Sequence, residues 1–200
     1  MNSYSKSDLL FHTLQSHILS GAFAPGSLLL EQKIADDFQI SRLTARETLK
    51  RLCQEGYLKS FPRKGYLVTG ITPQECQKIQ CIRFQLESYA IRLALNAPSD
   101  SFSDLEKILN TPASDEDPYQ TINFRFHMGL AYLSQNSYLE STLKPLLFDV
   151  CRYAITSTDQ SFPAQPNTCH HIILDSIRQK NLPKAYQYLK EDLGLTTEIL

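Results

Sequence analysis

The stretch Ile40-Ser41-Arg42-Leu43-Thr44-Ala45-Arg46-Glu47-Thr48-Leu49-Lys50-Arg51-Leu52 decides the reading of the first third of this 200-residue chain. Ser41 is a helix N-cap residue, and Ala45, Leu49 and Leu52 follow at spacings of four and three, so a helix starting after Ser41 buries one apolar face. Arg42, Arg46 and Lys50 recur every four residues on another face. Upstream, Leu9, Leu10, Leu14, Ile18 and Leu19 have helical spacing and stop at Gly21. After the Pro25-Gly26 turn, Ile34, Ala35 and Phe38 make a short second helix. Downstream, Tyr57–Phe61 and Tyr66–Thr69 are β-prone runs separated by Pro62-Arg63-Lys64-Gly65, which reads as a hairpin with a basic tip. Three helices and a hairpin make a winged helix-turn-helix.

The formal net charge of -1, taken as a whole, argues against a nucleic-acid partner. Residues 1–70, however, hold nine basic against six acidic side chains, and residues 71–200 hold eleven against fifteen. Residues 41–66 alone carry Arg42, Arg46, Lys50, Arg51, Lys59, Arg63 and Lys64 against Glu47 and Glu55. The near-neutral total is therefore the sum of a basic part and an acidic part. In a winged helix the third helix enters the major groove, where an arginine can bond guanine O6 and N7 together, so Arg42 and Arg46 are the candidate base readers. The hairpin tip brings Arg63 or Lys64 toward phosphate or minor groove.

Thr72-Pro73-Gln74-Glu75 combines a threonine cap, proline at the first helical position and glutamate three after the cap, so a new helix starts there and a boundary falls near Gly70. Beyond it, Ile79, Ile82, Leu86, Ala90 and Leu93 line a helix to about Leu95. Further helices are expected over Phe102–Leu109, Pro118–Leu133, Tyr138–Ser157, Thr168–Gln179 and Pro183–Ile199. Asp117-Pro118-x-Gln120 and Ser137-x-x-Glu140 supply start signals. The fold class is thus mostly α: a winged helix-turn-helix over 1–70 and an all-α bundle of about six helices over 71–200.

Five cysteines, odd in number and without a Cys-x-x-Cys pair, read as reduced thiols. With no run of about 18 apolar residues and no basic-then-apolar start, the expected address is cytoplasmic, away from a membrane. Asn123 and His127 project from one helix face toward a common point. With His170 and Asp192 they offer imidazole and oxygen donors suited to a divalent transition metal. His171 is the rival to His170 if that helix is rotated by one residue, and Cys169 is a softer outside candidate.

The run Gly21-x-Phe23-x-Pro25-Gly26, Leu29-x-Glu31-x-x-Ile34-Ala35, Ile40-Ser41-Arg42-x-Thr44-x-Arg46-Glu47-x-Leu49-x-Arg51-Leu52-x-x-Glu55-Gly56 and Arg63-Lys64-Gly65-Tyr66-x-Val68 resembles the DNA-binding domain of GntR-type bacterial regulators. The resemblance implies DNA contacts from Ser41, Arg42, Thr44, Arg46 and Gly65. Leu43, Ala45 and Gln32 depart from the family pattern. Farther on, Ile82-Arg83-x-x-Leu86-Glu87-x-x-Ala90, Phe126-His127, Gln135-Asn136-x-x-Leu139, and His170 with Ile173-Leu174-x-x-Ile177 resemble the FCD ligand-sensing domain of the FadR branch.

That second resemblance implies a metal site at Asn123, His127, His170 and Asp192, taking zinc, nickel or manganese, with asparagine and aspartate standing where the family has aspartate and histidine. It also implies that Arg83 faces the effector cavity and holds a carboxylate; the competing role for Arg83 is a surface salt bridge with Glu87. The expected function is a non-enzymatic regulator: a ligand-responsive repressor that binds a palindromic operator in double-stranded DNA as a homodimer and senses a small organic acid. A metal-dependent enzyme, or a ligand-binding helical domain with a winged helix that reads no DNA, is the alternative.

Overall fold

The computed structural model describes residues 5–98, 101–111, 122–157 and 168–195. The chain divides into two compact units, Met1–Ile71 and Thr72–Leu200.

In the first unit, α1 (Lys6–Leu19) is capped by Ser5, whose hydroxyl accepts from the Asp8 N–H at 3.1 Å. Leu10, Phe11, Leu14, Ile18 and Leu19 form its buried stripe. Helix α2 (Glu31–Asp37) buries Ile34 and Ala35, and Gln39, at φ 52°, turns the chain into α3 (Arg42–Gln54). Ser41 caps α3 by accepting from the Thr44 N–H at 3.0 Å, which satisfies one of the free donors of the first turn. Ala45, Thr48, Leu49 and Leu52 have no measurable exposure and pack α3 into the unit's core.

Strands β2 (Leu58–Phe61) and β3 (Gly65–Val68) form the hairpin, with Phe61 opposite Gly65 and Leu58 opposite Val68. The sheet has a further strand that the sequence pattern did not reveal. Leu28–Leu29, β1, pairs antiparallel with β3, giving the order β1-β3-β2. Two residues are too few to show alternation, and the pairing is set instead by the Gly26 N–H to Val68 and Val68 N–H to Ser27 hydrogen bonds that flank it.

The second unit contains, among the described residues, α4 (Pro73–Ala94), α5 (Phe102–Asn110), α6 (Ile122–Leu133), α7 (Ser137–Thr156), α8 (Thr168–Arg178) and α9 (Leu182–Asp192). At the start of α4 Thr72 and Glu75 form a reciprocal capping box. The buried stripe of α4 differs from the apolar one expected. It runs through Cys76, Gln80, Arg83, Glu87, Ala90, Ile91 and Ala94, whereas Ile82 is half exposed. Apolar periodicity is blind to a stripe whose inner positions are polar side chains paired with one another.

Two helix ends also differ. Asn136 rather than Ser137 caps α7, accepting from the N–H groups of Tyr138 and Leu139. The expected start of α6 at Pro118, with the Asp117 cap, lies outside the described residues. Helix α9 ends at Asp192 instead of continuing to Ile199, because Gly194 adopts φ 66° and the N–H groups of Gly194 and Leu195 turn back to Glu191 and Lys190; residues 196–200 lie outside the described set.

Helix α6 is buried on both sides. Phe126 and Leu130 face a core shared with Ile91, Leu105, Ile173 and Leu189, while Phe124, Met128 and Ala131 face Leu139, Leu143 and Leu147. His127 is thereby carried into the interior.

Glycine is required most strictly at Gly65, where φ is +124° and a Cβ would lie 2.6 Å from the Leu29 carbonyl oxygen. Gly65→Ala is expected to destabilise the N-terminal unit by about 2 kcal/mol, since backbone strain and a backbone clash coincide. Gly194→Ala, strained but with nothing within 4 Å of the new Cβ, is expected to lower stability by about 1 kcal/mol. Chemical denaturation followed by circular dichroism ranks the two; equal losses would refute the clash at Gly65.

Candidate functional site

The first candidate surface is built by α3 and the hairpin. The Ser41 cap fixes the start of α3, and its hydroxyl also lies 2.8 Å from the Thr44 hydroxyl. Arg42 and Arg46 project from the first two turns with side chains 63% and 48% exposed. The hairpin turn has Pro62 at its second position and Arg63 at φ 65° in its third, closed by the Lys64 N–H donating to the Phe61 carbonyl at 3.0 Å. Positive φ at the third turn position favours glycine, so an arginine there holds a strained backbone at the exposed tip.

Between α3 and the tip lies an open depression of about 550 Å³ lined by Arg42, Arg46, Lys50, Arg63, Lys64 and Gly65, with Glu31 and Tyr66 in its wall. All six expected DNA-contact residues, Ser41, Arg42, Thr44, Arg46, Lys64 and Gly65, thus lie on the start of α3 or at the hairpin tip. Gly65 also has a steric role within the protein, as the Leu29 contact shows. Sequence reasoning assigned no role to Glu31, which accepts from Arg42, Arg46 and Tyr66. Burial favours its neutral form, but the hydrogen bonds from Arg46 and Tyr66 and the nearby positive charges outweigh this, leaving its pKa below the ordinary carboxylate value.

The second candidate is a buried polar cluster in the helical unit. Arg83 and Glu87 come from α4, Asn123 and His127 from α6, His170 from α8 and Asp192 from α9. Arg83 is 1% exposed, so its ion pair with Glu87, 2.9 Å from Nε to Oε1, is internal and not the surface bridge expected as the competing role. Its Nη1 donates to Gln80 Oε1 at 2.8 Å, and among the described residues Nη2 has no hydrogen-bond partner. With two of its three nitrogens engaged, Arg83 has one donor to offer, not a free fork.

The second Glu87 oxygen lies 2.5 Å from His127 Nδ1. This ionised partner fixes the proton on Nδ1, as a carboxylate behind a metal-binding histidine does. On the other side of the ring, Nε2 faces Asp192 Oδ2 at 3.0 Å and Asn123 Oδ1 at 3.2 Å. A neutral ring in this tautomer would point a lone pair at two oxygens, an arrangement that calls for a proton or a metal ion between them. Burial by itself lowers the His127 pKa, yet the charge of Glu87 and the bonds to Asp192 and Glu87 leave it raised.

His170 stacks on Phe126 with ring centroids 4.2 Å apart, and its Nε2 lies 3.1 Å from Asp192 Oδ1, out of line for a hydrogen bond. Neither ring nitrogen of His170 has a hydrogen-bond partner among the described residues. Burial holds its pKa below the ordinary value, against the pull of Asp192. Burial likewise disfavours ionised Asp192, but the two imidazoles outweigh it and hold the carboxyl well below the usual range.

Ligating atoms of His127, His170 and Asp192 all lie within 4.8 Å of one another, and both ring nitrogens of His170 are unsatisfied, so the two imidazoles and the carboxylate fit a divalent transition metal. Asn123 is exposed and lies at the edge of the group. His171 is exposed, and Cys169, although buried, is outside the group of three. The residue that the sequence reading passed over is Glu87 as the partner of His127; its signal was the 3-4 spacing of Gln80, Arg83 and Glu87.

A winged helix presenting two arginines from the start of its third helix, in one chain with a helical unit holding a buried His–His–Asp cluster, defines a DNA-binding transcriptional regulator. Residues 6–68 match the gntR family of bacterial regulatory proteins and residues 78–194 match the FCD domain, and the chain belongs to the FCD-bearing branch of that family. It is 27% identical over 188 residues, 90% of this chain and 84% of the relative, to the uncharacterized HTH-type transcriptional regulator YdhC of Bacillus subtilis (strain 168).

It is 30% identical over 143 residues to the gluconate operon transcriptional repressor of Bacillus licheniformis, a match spanning 67% of this chain but 58% of that relative's length. Its fold is similar to that of E. coli McbR/YncC, with a TM-score of 0.75 and 20% identity over 96% of this chain and 95% of that one. No described helix is long and apolar enough to cross a membrane.

Two outcomes follow from the two sites. Glu31 contributes stability above the ordinary carboxylate pKa, near 4.5, and that contribution is lost as pH falls through its lower folded value. Glu31→Gln should therefore flatten the acid side of the stability profile of the N-terminal unit; an unchanged slope would refute the assignment. In the helical unit, Glu87→Leu leaves the Arg83 guanidinium buried without its carboxylate and should lower stability by about 3–5 kcal/mol. Replacing Arg83 by Met as well should recover part of the loss, measured by denaturant titration of the double variant.

Proposed function

We propose that this regulator is a ligand-responsive repressor: a homodimer places two copies of α3 in successive major grooves of a palindromic operator, and a small organic acid bound in the helical unit changes operator affinity. The observation that carries the reading is the presentation of Arg42 and Arg46 beside the basic hairpin tip. Operator symmetry follows from dimer symmetry, with half-sites about 34 Å apart. The relative named as a gluconate operon repressor supports repression as the mode.

On the DNA side, Ser41 and Thr44 hold the start of α3, Arg42 and Arg46 read base edges, and Lys64 and Gly65 bring the hairpin tip to the backbone. The first unit is the reader (1–70) and the second the effector-sensing and dimerisation domain (71–200). In the second, His127, His170 and Asp192, with Asn123 at the edge, would hold a divalent transition metal such as zinc, nickel or manganese. When bound, the ion supplies a Lewis acid to an oxygen of the acid. Glu87 orients His127 by accepting a hydrogen bond from its Nδ1–H, and Arg83 offers Nη2 to a carboxylate. The ligand acts through its difference in affinity for two dimer states. The relatives from Bacillus are named as a transcriptional regulator and a transcriptional repressor, which supports a regulator over the enzymatic alternative.

Arg46→Ala is expected to weaken binding to DNA from the region upstream of its own coding sequence by about 5–150-fold in a mobility-shift titration, the range of one good base contact. Salt-sensitive binding indifferent to that change would remove Arg46 from the reading surface. Protein purified without chelator should contain metal and gain melting temperature with zinc, nickel or manganese, and His127→Ala should abolish the gain. A melting temperature unmoved by metals and organic acids, with no metal found, would defeat the sensing half and leave the DNA half standing.

A further inference from the structure

Glu31 opens α2 yet its side chain reaches three other positions. Its Oε2 accepts from Arg42 Nε at 3.3 Å, and its Oε1 accepts from Arg46 Nε at 3.1 Å and from the Tyr66 hydroxyl at 3.1 Å. The side chain is 16% exposed, whereas the arginines it holds are 63% and 48% exposed. Tyr66 is 6% exposed and sits in the central strand β3, opposite Leu29 of β1. One carboxylate therefore ties α2, the start of α3 and the middle of the sheet to a common point.

Both arginines are held through Nε. The Nη1–Nη2 edge of each guanidinium, the edge that matches guanine O6 and N7, is not part of the contact. A long arginine side chain has many rotamers, and restricting it before binding removes part of the ordering that recognition would otherwise require. The same carboxylate lines the basic depression between α3 and the hairpin tip, and its negative charge opposes attraction to any duplex. Its benefit is thus confined to sequences that place guanine edges where both forks point.

We propose that Glu31 is a positioning residue for sequence reading: it aligns Arg42 and Arg46 with each other and, through Tyr66, with the wing, raising discrimination between sequences at the expense of general affinity. This rests on the reading of α3 as the DNA-reading helix. Plain electrostatics makes the opposite prediction for the specific site, because removing a negative charge beside two arginines should strengthen binding to every duplex.

The test uses the full-length protein and two duplexes of equal length: one selected by the wild type from a random-sequence pool, and a scrambled version of it. Affinities are measured across a salt series for the wild type and for Glu31→Ala, Glu31→Gln and Tyr66→Phe, with melting temperatures alongside. Glu31→Ala is expected to reduce the selected-to-scrambled affinity ratio about tenfold, with the scrambled duplex bound as well as before or better. Glu31→Gln, which keeps one acceptor oxygen, should fall between wild type and alanine, and Tyr66→Phe should reduce the ratio about threefold.

Tighter binding to both duplexes by the same factor would overturn the proposal in favour of simple charge removal. Equal weakening on both would overturn it in favour of a folding role. Should Glu31→Ala fail to fold, the nearly isosteric Glu31→Gln decides between these outcomes. A wild type that selects no sequence at all would refute the reading of α3 itself and take the proposal with it, a result distinct from a selective wild type whose Glu31 variants are equally selective.

Discussion

Helices α4 and α6 of the second unit meet at Glu87, a carboxylate with no exposed surface and two cationic or proton-bearing neighbours, Arg83 and His127. A buried charge of this kind is tolerable only when its partners are held in place, because desolvation would otherwise exceed the Coulombic gain. That requirement sets the rotation of α4, which turns a polar stripe inward. It also fixes the His127 ring on α6, so that Nε2 meets Asp192 from the end of α9. The placement of His170 follows from the Phe126 stack on one side and the same Asp192 on the other. The cluster is thus ordered by two buried carboxylates, Glu87 behind His127 and Asp192 between the two imidazoles.

The first unit follows a parallel rule with the opposite exposure. There a single carboxylate, Glu31, gathers two arginines and a tyrosine at the rim of an open depression, so the charges stay in contact with solvent and with whatever approaches. Exposed pairs of this sort contribute little to stability. Their value is in orientation, which fits a surface whose work is recognition. The interior cluster and the rim cluster thus use the same chemistry, a carboxylate bridging two bases, buried among helices in one case and at an open face in the other.

Much of this was legible in the sequence because it rests on local rules. The Ser41 cap, the Ala45-Leu49-Leu52 face and the Thr72–Glu75 capping box are each written within a few residues, and each is present in the structure. The two-residue strand β1 was not legible, since its pairing is decided by β3 some forty residues later. Nor was the inward face of α4, where Ile82 looks like core and Arg83 and Glu87 look like surface; only long-range pairing with His127 reverses that reading. Gly194 did carry a local signal, a glycine at a helix end, and it stops α9 at Asp192, leaving that carboxylate beside both histidines. Resemblance to known regulators supplied the candidate ligand set, and the geometry added Glu87 as the partner that holds His127 from behind.

The proposed regulator couples occupancy of the buried cluster to DNA reading within one chain. That coupling is tested most directly by measuring, with fluorescence anisotropy, the affinity of the full-length protein for its selected operator duplex across a panel of small organic acids with divalent metal present. At least one acid is predicted to change the dissociation constant by about fivefold or more, a change absent in a His127→Ala protein that still binds the duplex. Operator binding that is strong, sequence-specific and indifferent to every acid and metal would contradict the account.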